Sequence, residues 1–80
     1  MNLDLEKMEL ISKWTEEVVR TIEIVKRDGV EPCGLDMNQK TFEVLKNSFT
    51  ITPAGYFTWF GLDVMVVKAL GYGEIFVWGE

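Results

Sequence analysis

The chain has 80 residues, 48% of them hydrophobic, with three Trp, five Phe and two Tyr, and a net charge of -5 from 13 acids against 8 bases. So much apolar material excludes a disordered segment, and the length allows one small domain whose stability is expected to draw on partners or self-association. The acidic balance argues against nucleic acid as a partner, because a phosphate backbone is held by clustered Lys and Arg.

The chain contains no His. The commonest acid/base group, metal ligand and triad member is therefore missing, and no catalytic residue, metal site or cofactor is expected. Cys33 is the single cysteine and cannot close an intramolecular disulfide; with no basic neighbour in sequence it reads as a tolerated or buried thiol rather than a nucleophile. Apolar runs such as Val64 to Val67 fall far short of the roughly 20 residues that span a bilayer. The start of the sequence lacks the pattern of a secretory leader, so a cytoplasmic location is the expectation.

The first element is a long helix over 4–28. Met8, Ile11, Thr15, Val18, Ile22 and Val25 recur at alternating spacings of three and four and form one seam. On the far side Glu9, Glu16 and Glu23 stand four residues before Lys13, Arg20 and Arg27, the favourable order for helical ion pairs. Asp4, or its rival Asn2, is the expected N-cap, with Leu3 and Met8 as a hydrophobic staple, and Gly29 is the expected left-handed stop. Leu5, Trp14 and Val19 widen the seam beyond what a two-stranded coil needs. A helix of this length, roughly 37 Å at about 1.5 Å per residue, is expected to outrun its own domain.

Val30 to Leu35, broken by Pro32 and Gly34, reads as a connector. Asp36 with Gln39 resembles a capping pair for a second helix over 36–49, on which Phe42, Leu45 and Phe49 share one side. Thr50 to Gly55 is a turn, after which the period falls to two. A strand over 56–67, bent or bulged at Gly61, and a strand over 74–78 are expected to pair as an antiparallel hairpin across the loop at 68–73. The fold class is thus α+β: a long N-terminal helix, a short second helix and a C-terminal hairpin apolar on both faces. At least two of Trp59, Phe76 and Trp78 are expected to be buried in the domain or at an interface.

The run Gly61-Leu62-Asp63-Val64-Met65-Val66-Val67, a short loop, and Gly73-Glu74-Ile75-Phe76-Val77-Trp78-Gly79 resembles the strand-loop-strand ending of small, mostly uncharacterised phage-encoded proteins and of some phage virion components. It covers about 20 of the 80 residues. The resemblance implies a phage or prophage setting and a role in assembly or host interaction, with a host or virion protein as partner.

The surplus apolar surface points to a non-enzymatic interaction or assembly protein, homo-oligomeric through the first helix and the hairpin. The expected interface residues are Met8, Ile11, Trp14, Val18, Val19, Ile22, Val25, Trp59, Phe76 and Trp78. The alternative is an acidic inhibitor of a host nucleic-acid enzyme. Between residues 4 and 28, however, seven acids stand against five bases, which does not make a duplex-like stripe.

Overall fold

A helix whose apolar residues recur every three or four positions has to lay that seam on something, and here it lies on one face of a five-stranded sheet. The computed structural model describes residues 3–80. Helix α1 spans Leu3–Arg27; the cap and staple expected around Asn2, Leu3 and Asp4 lie outside the described residues and side chains. At its other end the chain closes a Schellman motif. Val30 N–H donates to Val25 O at 3.1 Å and Gly29 N–H to Lys26 O at 3.0 Å, with Gly29 at φ 85°. The left-handed stop expected at Gly29 is there.

The connector expected at 30–35 is instead a strand. β1, Pro32–Met37, is the sheet's second strand from one edge, with β4 on one side and β5 on the other. Two local features disguise it. Pro32 is its first residue and sits at a register irregularity, where a missing N–H is tolerated. Gly34 is required because a Cβ there would overlap the indole of Trp78.

The second helix is shorter than the expected 36–49. Asp36 and Met37 belong to β1, and α2 spans Gln39–Leu45, followed by a single 3₁₀ turn at Lys46–Ser48. Its cap is Asn38, not Asp36: the Asn38 side chain accepts from Thr41 N at 2.8 Å with extended backbone, the preferred geometry for a short polar cap. β2, Thr50–Ile51, and β3, Phe57–Trp59, form one antiparallel pair. β3 and β4, Leu62–Val66, form another. Between these last two, Phe60 at φ 55° and Gly61 at φ 75° make a two-residue turn of the kind that matches strand twist. Gly61 is thus half of a hairpin turn rather than a bulge in one long strand.

β5 spans Ile75–Gly79. It does not pair with β4. The strand order is β2-β3-β4-β1-β5, with β1 parallel to β4 and antiparallel to β5, so the expected C-terminal hairpin is corrected to two strands separated by β1. With a Pro and a Gly within six residues, β1 carries the local signals of a loop.

Both helices cover the same face. Trp14 and Val18 of α1, Leu45 and Phe49, and the sheet residues Leu35, Met37, Trp59, Leu62 and Val77 form the buried core. Phe42 meets Phe57 edge-on at 5.0 Å, and Phe49 lies 5.3 Å from Trp59, joining α2 and the turn after it to β3. The loop before β5 is tied down at three points. Thr41 Oγ1, fully buried, accepts from Gly73 N at 2.9 Å; Asn38 Nδ2 donates to Leu70 O at 3.2 Å; Tyr72 meets Trp14 edge-on at 5.3 Å. From Leu5 to Glu9 every residue of α1 is exposed, and the molecule's longest dimension is 44 Å. No helix among the described residues is long and apolar enough to cross a membrane.

Candidate functional site

Alternation along a strand sends successive side chains to opposite faces, so the helix-free face of the sheet is read directly from the register. One row crosses four strands: Thr58, Asp63, Gly34 and Trp78. The next row holds Met65, Asp36 and Phe76. Phe76 is 56% and Met65 51% exposed, on either side of Asp36. Trp78 is half-buried because its indole folds over Gly34 and donates from Nε1 to Asp36 Oδ1 at 2.9 Å. The missing side chain at Gly34 is what lets the ring lie down on the sheet.

The electrostatics of this face are one-sided. None of the five strands contains a Lys or Arg, while β1 contributes Asp36 and β4 Asp63. A flat surface of indole, phenyl and thioether groups therefore carries two carboxylates and no cation of its own.

No family model, curated protein or solved structure matches the chain. Among the described residues no cluster of three or more His, Cys, Asp or Glu is placed to hold a metal ion. Cys33 is partly exposed at the start of β1, its thiol donating to Glu31 O at 3.4 Å.

The structure divides the ten expected interface residues into three groups. Trp14, Val18 and Trp59 are buried in the chain's own core, and Ile11, Ile22 and Val25 pack half-buried against it. Met8 at 63%, Val19 at 38% and Phe76 at 56% are exposed. Trp78 lies on the open face. Of the three aromatic residues expected to need cover, Trp59 is buried, Trp78 half-buried and Phe76 exposed. Sequence reasoning did not single out Asp36, Asp63 or Met65 as site residues. The period-two alternation placed Asp63 and Met65 together on one face, but Asp36 was assigned to a helix cap and so never joined them.

Proposed function

We propose that this chain is a non-enzymatic protein-protein interaction module whose working surface is the helix-free face of the sheet, and that its partner is a different protein presenting a cationic segment. The observation that carries the reading is the row Met65-Asp36-Phe76 beside Trp78 and Asp63, in a sheet without one basic residue. An Arg side chain on this row pairs with the Asp36 carboxylate while its guanidinium plane lies against Phe76. A second copy is a poor occupant, since face-to-face packing would set Asp36 and Asp63 of each copy against those of the other. The likeness of residues 61–79 to phage-encoded segments supports an assembly or host-interaction setting for that partner.

The test is an NMR titration with a short Arg-bearing peptide and a Glu-bearing control. The Arg peptide is expected to move the Trp78 indole N–H and the amides of Asp36, Met65 and Phe76. Asp36→Asn, which keeps the acceptor for Trp78, and Phe76→Ser should each weaken binding. If neither variant changes the affinity, the reading fails. The rival reading, an acidic mimic of nucleic acid, predicts sensitivity to salt and to Asp36→Asn with indifference to Phe76→Ser.

A second surface favours self-association. Leu5, Met8 and Val19, at 51%, 63% and 38% exposure, fall within about 60° of one another around α1, on the margin of its core-facing seam. Along the same helix acidic and basic positions are interspersed, so a second copy can be set in a register that brings opposite charges together. Sedimentation of the native chain and of Met8→Asp checks this: a native chain that stays monomeric at high concentration removes it.

A further inference from the structure

The cations missing from the sheet have a place of their own. Two grooves, of about 900 and 710 Å³, adjoin each other and share Lys40 and Tyr72 as lining residues. Lys7 and Lys46 line the first and Lys68 the second. Four of the chain's eight basic residues thus line grooves that share one exposed tyrosine, whereas the chain as a whole carries -5. Among the described residues that line these grooves the acid is Glu43, and its Oε1 accepts from Gln39 Nε2 at 3.1 Å.

Tyr72 is exposed by 54% yet is not loosely held. Its ring stands edge-on to the buried Trp14 at 5.3 Å. The residues on both sides are fixed by hydrogen bonds: Gly71 N–H donates to Glu74 Oε1 at 2.7 Å and Gly73 N–H to Thr41 Oγ1 at 2.9 Å. A phenol presented on a pinned loop, in grooves also lined by four lysines and by Val44 and Val66, offers a platform for a flat ring that carries negative charge.

We infer that the two grooves form one binding site for a small polyanion bearing an aromatic ring, of the nucleoside polyphosphate class, with the ring stacked on Tyr72 and the charge held by Lys7, Lys40, Lys46 and Lys68. This site is separate from the sheet face and does not depend on its role. Size decides between a small ligand and a nucleic-acid strand. Screening at physiological salt has a length of about 8 Å, so a ligand confined to the grooves senses the local lysines, whereas a long polyanion also meets the acidic remainder of the chain.

The test uses the full chain with ATP and, separately, inorganic tripolyphosphate, followed by calorimetry and by the amide resonances of Gly71, Tyr72 and Gly73. ATP is expected to bind saturably at one site and to move those three resonances. Lys40→Gln combined with Lys68→Gln should weaken ATP roughly tenfold or more, equivalent to about 1.4 kcal/mol. Tyr72→Leu should weaken ATP while leaving tripolyphosphate unchanged. These side chains are exposed, so the variants are expected to fold, which the unchanged dispersion of the core resonances verifies. The inference is overturned if millimolar ATP produces no saturable shift, if the lysine variant binds as the native chain does, or if Tyr72→Leu affects both ligands equally.

Discussion

Trp78 donates its indole N–H to Asp36 Oδ1 at 2.9 Å across the backbone of Gly34, and the ring occupies the space a side chain at position 34 would need. This contact joins the edge strand β5 to its neighbour β1 by a side-chain bond added to the backbone ladder. A hydrogen bond to a charged group is worth about 1.5–3 kcal/mol when well shielded, and nearer the lower value on a half-exposed face. Gly34→Ala must push the indole away. The expected outcome is a loss of about 1–3 kcal/mol in denaturant unfolding, with the Trp78 indole resonance moved toward the position of a solvated indole.

Val18 and Met8 belong to one seam in sequence and to two environments in the fold. Val18 is 2% exposed and Met8 63%. Val18→Asp places an unpaired charge in the core and is expected to cost more than about 3 kcal/mol, enough to unfold much of a domain of this size. Met8→Asp should leave the unfolding midpoint within about 0.5 kcal/mol of the native chain. A circular-dichroism melt of each separates the two, and only the second variant reports on assembly.

Thr41 links α2 to the loop that carries Tyr72. Its hydroxyl is fully buried and accepts from Gly73 N–H at 2.9 Å. Thr41→Val keeps the shape and removes the acceptor, so the Gly73 amide loses its partner, at a cost of about 1–3 kcal/mol. Hydrogen exchange at Gly73 should accelerate more than exchange at Leu35 in the core. Equal acceleration at both would mean that the bond contributes only to global stability.

Gly29 ends α1 at φ 85°, with no atom near enough to touch an added Cβ. Gly29→Ala therefore isolates backbone strain from any clash. A loss of about 1–2 kcal/mol is expected, the cost of a left-handed residue with a side chain. No change in the unfolding midpoint would count against the Schellman geometry as a source of stability.

Elements governed by local spacing could be read from the chain, and those governed by distant partners could not. α1 and its stop at Gly29 were legible because a 3.6-residue period and a terminal glycine are local signals. The strands around Leu62–Val66 and Ile75–Gly79 were legible from their alternation. Their pairing was not, since it depends on β1, whose Gly34 makes sense only beside Trp78. The cap expected at Asp36 falls instead to Asn38 because β1 runs on to Met37 and keeps Asp36 in the sheet. The open face is least legible for this reason: half of its charge is Asp36, whose local pattern is that of a helix cap.

Leu35 has its two ladder partners, Val64 and Val77, far later in the chain. Until the chain folds, β1 has both edges bare, the situation in which a strand can pair with a foreign edge. Pro32 cannot donate to a foreign ladder, and Gly34, with no side chain to pack, weakens any pairing made without the Trp78 indole over it. The two residues that make β1 look like a loop also guard it while it waits.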